Sequence, residues 1–459
     1  MSRSSAKKLD SVFNTQTVQM QAIQARPHVQ GDSRALGVEF TQEKLTDAPG
    51  LLSLRAAMDA LGVGAALDRL GARIGGFYRP STMVEQWLSV LWYGGGCMDH
   101  LEQLEARGVS ELFGWADVPD PTTYGRWLRR AGDAMGEKVE EVVREVVALR
   151  WSVVGVPREV MLIFDATVSV RYGLDQAGAE VGYNPHKKGR PSHHPLVGFL
   201  DTGDCVSMRW RPGRANCAAG AEEELRETVR WLRAQGVERI VVRLDKGFFS
   251  RATIDLLKEL GVDFAVKMQE SNTLQPFKGP FSRYLHDPRL EVSEGEWNGV
   301  RMLCVREWKD PNAGELALGP VVLKQQATVL TNIPGLDAVE AWRLYNQGAV
   351  VEHRIEELGQ LGVGKTAVDD LGGNRLLWSM GALAYELLHF VRTVGLPEQW
   401  RKAQVKSLRS WLIRMPAKVV RHARSVCVKL MDADPLAHVL LEAIQKLQRL
   451  RGPALLLHG

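Results

Sequence analysis

Three acidic residues stand where carboxylates can do chemistry. Asp165 ends the apolar run of residues 160–164, Asp245 ends the apolar run of residues 239–244, and Glu352 falls in a helical pattern further on. Burying a carboxylate is costly unless it is paired or binds a metal. If the three converge, they can hold two Mg²⁺-type cations, which favour oxygen ligands and keep water available as a nucleophile. Strand-end caps and ion-pair partners remain the alternative.

A second segment concentrates positive charge. Residues 186–190 read His-Lys-Lys-Gly-Arg, so that Lys187, Lys188 and Arg190 carry three permanent charges beside a flexible glycine. This composition favours contact with phosphate, with a solvated hairpin tip as the alternative. His186, His193 and His194 have no acidic or cysteine partner at zinc-ligand spacing. We therefore expect these three histidines to lie at the surface or to contact DNA rather than to bind zinc.

Two further segments offer phosphate-binding alternatives. Residues 359–366 match the P-loop pattern G-x-x-x-x-G-K-[ST], but the charged, helical pattern before them lacks the strand that such a loop needs, so an ATP-binding protein is a lesser alternative. Residues 401–430 contain nine Lys or Arg and no acid. Their apolar spacing predicts an amphipathic helix broken near Pro416. Its basic face, including Arg409 and Arg421, is either a phosphate contact or simply solvated.

The acids must be positioned by the elements around them. Residues 40–150 have a helical apolar period, and residues 160 onward predict strands and helices in the order β-β-β-α-β-α-β, the first three strands forming an antiparallel meander. Residues 271–327 read as a β-rich insertion, after which a strand and a long helix follow. The first 30 residues are polar and are predicted to be a flexible arm. The predicted regions are therefore 1–30, 31–155, 156–395 and 396–459.

Composition limits the classes that fit. The chain has 459 residues, a net charge of +4 and five scattered cysteines, which predicts a globular protein of a reducing cytoplasm. Its longest apolar stretch is too short to cross a membrane, and the polar N-terminus lacks a signal sequence.

At the motif level the sequence resembles bacterial insertion-sequence transposases of the DDE class, which have an RNase H-like catalytic core. The segments that carry the likeness are Asp165-Ala166-Thr167, residues 182–192, His194-Pro195-Leu196, Arg211-Pro212-Gly213, residues 243–248, and Tyr345 with Glu352 and residues 354–358. The chain departs from the family pattern at Gly348 and Gly359, where the family has Arg and Lys. These two replacements remove basic side chains that the resemblance would assign to DNA-phosphate contacts.

This resemblance implies an α/β fold: an RNase H-like mixed sheet flanked by helices, a β-rich insertion before the last catalytic helix, and helical terminal regions. It implies that Asp165, Asp245 and Glu352 bind Mg²⁺, or Mn²⁺, and catalyse DNA strand cleavage and strand transfer. The DNA contacts it suggests, together with the basic segments, are Lys187, Lys188, Arg190, Arg211, Tyr345, Arg354, Arg409 and Arg421. The implied partners are double-stranded DNA at transposon terminal inverted repeats, target DNA and a second copy of the chain, in a bacterial cytoplasm. A catalytically inactive DNA-binding descendant is the main alternative.

Overall fold

The computed structural model describes residues 40–171, 175–182, 184, 187–268, 280–308, 323–346, 349–365, 368–423 and 425–450. The chain divides into two units, residues 1–43 and 44–459. All helices and strands of the described residues belong to the second unit. The predicted arm of residues 1–30, together with His186, Gly348 and the last P-loop position, Thr366, lies outside the described residues.

The helices are α1 (Leu51–Leu61), α2 (Val63–Leu70), α3 (Pro80–Tyr93), α4 (Leu101–Ala106), α5 (Val109–Phe113), α6 (Pro121–Val154), α7 (Ala221–Ala234), α8 (Arg251–Glu259), α9 (Ala338–Asn346), α10 (Ala349–Gln360), α11 (Leu371–Phe390), α12 (Val405–Leu408) and α13 (Pro435–Arg449). The strands are β1 (Leu45–Thr46), β2 (Glu159–Ala166), β3 (Ser169–Val170), β4 (Glu180–Val181), β5 (Pro191–His193), β6 (Leu196–Leu200), β7 (Cys205–Arg209), β8 (Arg239–Leu244), β9 (Asp263–Lys267), β10 (Ser282–Arg283), β11 (Leu290–Trp297), β12 (Val300–Trp308), β13 (Leu323–Thr331), β14 (Ala417–His422) and β15 (Ser425–Leu430).

A nine-stranded mixed sheet forms the centre of the fold. Its order is β10-β11-β12-β13-β9-β8-β2-β6-β7. The strands β2, β6 and β7 pair as an antiparallel meander, whereas β8 and β9 run parallel to β2. The middle residues of β2 and β8 are apolar and mostly buried, as expected of a parallel pair at the centre of a sheet. The predicted strand and helix order is confirmed, and this sheet is an RNase H-like core.

The insertion extends the sheet rather than forming a separate layer. Strands β10 to β13 form an antiparallel ribbon, and β13 pairs with β9 over Val329 to Thr331. The chain then enters α9, which packs on this extended part of the sheet through its buried alanines and Tyr345. The insertion thus leads directly into the helices that follow the sheet.

Helices α6 and α11 pack against each other along the core more extensively than any other pair of described helices. A Cβ atom on Gly132 would lie 2.2 Å from the carbonyl carbon of Gly372, so only glycine allows this approach of the two backbones. Buried residues from Ala48 to Leu447 belong to one hydrophobic cluster with these helices. The predicted N-terminal, catalytic and C-terminal regions therefore share a core.

The basic C-terminal segment differs from its predicted helix. Residues 405–413 are helical, but β14 and β15 then form an antiparallel hairpin, with β1 pairing on the other side of β14. The helix prediction is wrong there because apolar residues at every second position, Ala417 and Val419 on β14 and Val426, Val428 and Leu430 on β15, set a period of two, although Lys418, Arg421 and Arg424 are spaced three apart as on a helical face. No helix in the described part of the chain has the length and apolar character of a membrane span.

Candidate active site and DNA-contacting surface

Asp165 and Asp245 lie at the same end of the sheet. Strands β2 and β8 are parallel neighbours, and their register pairs Phe164 with Leu244. The next residue of each strand is therefore an aspartate, and the two stand side by side at the carboxyl ends. In open α/β sheets this end is where ligands bind. The sequence prediction that these two acids come together agrees with this register.

The electrostatics of Asp165 show concentrated negative charge. Its Oδ1 accepts a hydrogen bond of 2.8 Å from the amide of Ala166. Burial, with smaller contributions from the charges of Asp245 and Glu352, raises the pKa of Asp165 to about 6, against the lowering effects of the Ala166 hydrogen bond and of Arg243. Carboxylates that oppose one another's ionisation favour a bound cation.

Tyr345 lies against the second aspartate. The tyrosine, near the end of α9, is 5% exposed, and its hydroxyl donates to Asp245 Oδ1 at 2.8 Å. Burial, and then the neighbouring charge of Asp245 and the hydrogen bond to it, raise the pKa of the Tyr345 hydroxyl well above its ordinary value. Tyr345 was predicted to contact DNA. Its hydroxyl instead supports an acidic side chain.

Glu352 lies in the first turn of α10 with an exposed side chain. It is close enough to influence the pKa of Asp165 through its charge. Among the described residues, however, no three Asp, Glu, His or Cys side chains are close enough together to hold one metal ion. The structure thus gathers Asp165 and Asp245, with Glu352 nearby on a separate helix.

The donor set suits a hard divalent cation. Asp165, Asp245 and Glu352 offer only carboxylate oxygens, which Mg²⁺ and Mn²⁺ prefer. The raised pKa of Asp165, caused by burial and by two like charges, shows negative charge that such a cation would offset. Asp165 and Asp245 would hold the ion from the sheet, and Glu352 would close on it from α10.

The basic loop lies beyond the same end of the sheet. Strands β4 and β5 form a hairpin, and Lys187, Lys188 and Arg190 are exposed in the loop between them. After β5 the chain continues through Pro195, whose carbonyl accepts from the amide of Thr167, into β6, the partner of β2. The loop therefore extends from the strand end that carries Asp165.

The Arg-Pro-Gly segment supports this hairpin. A Cβ atom on Gly213 would lie 2.0 Å from the carbonyl oxygen of Ser192, in β5. The guanidinium of Arg211 is buried and donates to the carbonyls of His194 at 2.8 Å and Ala219 at 2.6 Å. The prediction that Arg211 contacts DNA does not fit this position, because its donors face backbone carbonyls inside the fold.

Two other predicted DNA contacts also point into the protein. Arg409 donates to the carbonyls of Leu91 and Gln360, each at 3.0 Å, and so satisfies the ends of α3 and α10. Arg354 forms an ion pair of 2.8 Å with Glu357 on its own helix. Both residues have structural roles in this arrangement. Arg421 differs from them, since it is exposed on β14.

His193 and His194 are wrongly predicted as surface residues. Both are buried, and their ring nitrogens hydrogen-bond the carbonyls of Ala177 and Ala215. Burial lowers the pKa of each imidazole. They hold the loops around the β3-β5-β4 sheet.

The P-loop alternative is contradicted by the chain around it. A helix, α10, precedes the glycines where a strand is required. The carbonyl of Gly364 accepts from Ser169 and Arg171, and a Cβ on Gly362 would lie 2.7 Å from the carbonyl oxygen of Gly95. The described loop is filled by protein and offers no cradle for phosphate.

Sequence reasoning missed two cations of the site. Arg243 lies in β8 two residues before Asp245, and because the backbone stays extended through Asp245, spacing by two puts both side chains on the same side; Lys267 ends β9, the next parallel strand. The period-two spacing was the available signal for Arg243. Lys267 becomes a neighbour only through the register of β8 with β9.

The sheet order and the paired strand-end aspartates define an RNase H-like α/β protein with a candidate phosphoryl-transfer site. Residues 29–452 match the family model described as Transposase DDE domain group 1, and the chain belongs to this family. The sequence matches none of the curated proteins compared with it.

Solved structures similar to the chain include three transposase complexes. A piggyBac transposase synaptic complex with hairpin DNA is 14% identical, with 81% of this chain and 83% of that chain covered and a TM-score of 0.45. A pre-cleavage Mos1 transpososome is 16% identical over 36% and 56% of the two chains, with a TM-score of 0.17. A Mos1 paired-end complex with the left transposon end is 17% identical over 44% and 57%, also at 0.17.

Proposed function

We propose that this protein is a metal-dependent DNA transposase that cleaves transposon ends and transfers the cut strand to target DNA. The observation that carries the proposal is the register of β2 with β8, which sets Asp165 and Asp245 side by side at the carboxyl end of the sheet. Family membership supports a DNA-cutting and joining role. Substrates are the double-stranded terminal inverted repeats and target DNA, in a bacterial cytoplasm at the nucleoid.

In this proposal Asp165, Asp245 and Glu352 are the metal ligands and catalytic residues. These residues would hold Mg²⁺ or Mn²⁺, which when bound would supply Lewis-acid activation of the attacking water or 3′-hydroxyl and stabilisation of the leaving oxygen. Asp165 and Asp245 keep fixed places because both end paired strands. Glu352, carried by α10, must close toward them, and we infer that bound DNA draws it in. Lys187, Lys188 and Arg190 bind the phosphate backbone beside the acids.

We further propose that two copies act together, each binding one transposon end. Arg421, exposed on β14, adds a phosphate contact outside the acidic site. Residues Arg211, Tyr345, Arg354 and Arg409 are not needed as direct contacts, since their polar groups are engaged within the fold.

A DNA-binding descendant without cleavage activity is the second candidate. It is favoured by the exposed position of Glu352, because the described residues do not assemble three metal ligands. The glycines at positions 348 and 359, in place of the family's basic residues, point the same way.

A cleavage assay separates the two candidates. The full chain is incubated with a duplex carrying the element's own terminal repeat, with Mg²⁺ or Mn²⁺, and nicked products are measured. The transposase predicts cleavage that Asp165→Asn, Asp245→Asn or Glu352→Gln abolishes while duplex binding persists. Glu356→Gln, an exposed acid one turn further along α10, is the matched control and should cleave normally. Binding with no cleavage by the wild type supports the inactive descendant.

A further inference from the structure

The ring of Tyr345 is held between two cations borne by neighbouring strands. The guanidinium carbon of Arg243 lies 4.4 Å from the ring centroid, and the ammonium of Lys267 lies 5.5 Å from it. Both distances are within the range of cation–π attraction, which reaches about 6 Å. Arg243 Nε also donates to the backbone carbonyl of Tyr345 at 2.6 Å. Ring and backbone are thus fixed at once.

This clamp follows from the sheet. Arg243 lies in β8, and Asp245, two residues further on, follows the end of that strand in extended backbone; Lys267 is one residue beyond Val266, which pairs with Leu244. Ala265, two residues before Lys267, packs against Tyr345 on the same face. Helix α9 therefore places the tyrosine over the carboxyl ends of β8 and β9.

The clamped ring determines where its hydroxyl points. That hydroxyl donates to Asp245 Oδ1 at 2.8 Å. A hydrogen bond to one carboxylate oxygen fixes the plane of the group and so the direction in which the other oxygen presents its lone pairs. Hydrogen-bond partners of this kind orient metal ligands and are often as important as the ligands themselves.

We propose that Tyr345, held by Arg243 and Lys267, is a positioning residue that orients the Asp245 carboxylate for a divalent cation. This inference rests on the proposed metal-dependent function. It gives Tyr345 a role through Asp245, in place of the direct DNA contact that the sequence predicts.

The test compares Tyr345→Phe with Tyr284→Phe. Phenylalanine keeps the ring between the two cations and removes only the bond to Asp245. Tyr284 makes the same kind of bond, 3.0 Å to Asp337 Oδ2, away from the sheet ends, so its variant is a matched control. Tyr345→Phe should raise the Mn²⁺ concentration for half-maximal DNA cleavage by about 10- to 100-fold. Tyr284→Phe should leave it unchanged.

Cation placement is read independently of activity by substituting Fe²⁺ and mapping ascorbate-driven backbone cleavage of the protein. The wild type should be cut near both Asp165 and Asp245. Tyr345→Phe should lose the cut near Asp245 and keep the one near Asp165. An unchanged cleavage map, or weaker duplex binding with an unchanged Mn²⁺ requirement, overturns the inference.

The clamp itself is tested at Lys267, in case the tyrosine variant does not fold. Lys267→Met removes the cation over the ring and should raise the Mn²⁺ requirement, whereas Lys267→Arg keeps a cation and should restore the wild-type requirement. Equal behaviour of the two variants overturns the clamp. If Asp245→Asn cleaves DNA as well as the wild type, the proposed function fails. If Asp245→Asn is impaired while Tyr345→Phe and Lys267→Met keep the wild-type Mn²⁺ requirement, the proposed function stands and the inference alone fails.

Discussion

Removal of the three charges of the basic loop should change how salt weakens DNA binding. The variant replaces Lys187, Lys188 and Arg190 with alanine, all exposed between β4 and β5. Each phosphate contact contributes about 0.9 to the slope of log affinity against log salt concentration on duplex DNA. Loss of three contacts should therefore make the slope shallower by about 2.7. Between 50 and 200 mM salt, that difference amounts to about 40-fold in relative affinity.

The matched control removes the same charge from the opposite end of the sheet. Arg158, Arg233 and Arg239 are exposed near the amino ends of β2 and β8, and Arg239 pairs with Glu159 and Asp263. Their triple alanine variant has the same net charge as the loop variant. Its slope should match the wild type in fluorescence anisotropy titrations of a labelled duplex at five salt concentrations. Equal slopes for the wild type and both variants would refute a phosphate-binding loop. If both variants had slopes shallower than the wild type by the same amount, the effect would come from net charge and not from the position of the loop.

Four further substitutions test the packing and electrostatics of the fold. Gly132→Ala should destabilise the protein by about 1–3 kcal/mol by forcing α6 from α11, whereas Gly136→Ala, which meets only the flexible Arg375 side chain, should be neutral or stabilising in thermal unfolding. Burial raises the pKa of Glu140 to about 7, so the folded state binds this proton more tightly than the unfolded state and stability falls as pH rises from about 4.5 to 7. The unfolding midpoint of the wild type should therefore decline relative to that of Glu140→Gln over this pH range. If the two midpoints changed in parallel with pH, the raised pKa of Glu140 would be contradicted. Arg409→Ala should lower the unfolding midpoint and leave the salt slope of DNA binding unchanged. A shallower slope would instead support the sequence prediction that Arg409 contacts DNA.

Local periodicity predicted the strands that carry the two aspartates, since the apolar runs ending at Asp165 and Asp245 were both identified. That these two strands are parallel neighbours, which places the acids together, is a property of the folded sheet. The C-terminal hairpin was not predicted correctly, because apolar residues two apart, such as Val426 and Val428, overlap in residues 417–430 with basic residues three apart, Lys418, Arg421 and Arg424. Strand β14 pairs with β1, which lies more than 350 residues earlier in the chain, and local sequence patterns cannot predict such a long-range pairing.

The roles of the basic residues could not be predicted from their type. Arg190 and Arg211 both lie near other basic residues in the sequence. In the structure, however, Arg211 donates to buried backbone carbonyls, whereas Arg190 is exposed. Whether an arginine faces phosphate or backbone depends on which carbonyls the tertiary fold leaves unpaired nearby. The same holds for Tyr345, whose partner Asp245 is 100 residues away.

The location of the divalent cations in a DNA complex tests the proposed metal site most directly. Crystals of the full chain with its terminal-repeat duplex and Mn²⁺ would be measured for anomalous scattering. We predict two Mn²⁺ ions about 3.5–4 Å apart, held by Asp165, Asp245 and Glu352, with DNA phosphate beside the basic loop. Ions bound elsewhere, or a Glu352 side chain that stays away from both aspartates with DNA in place, would contradict it.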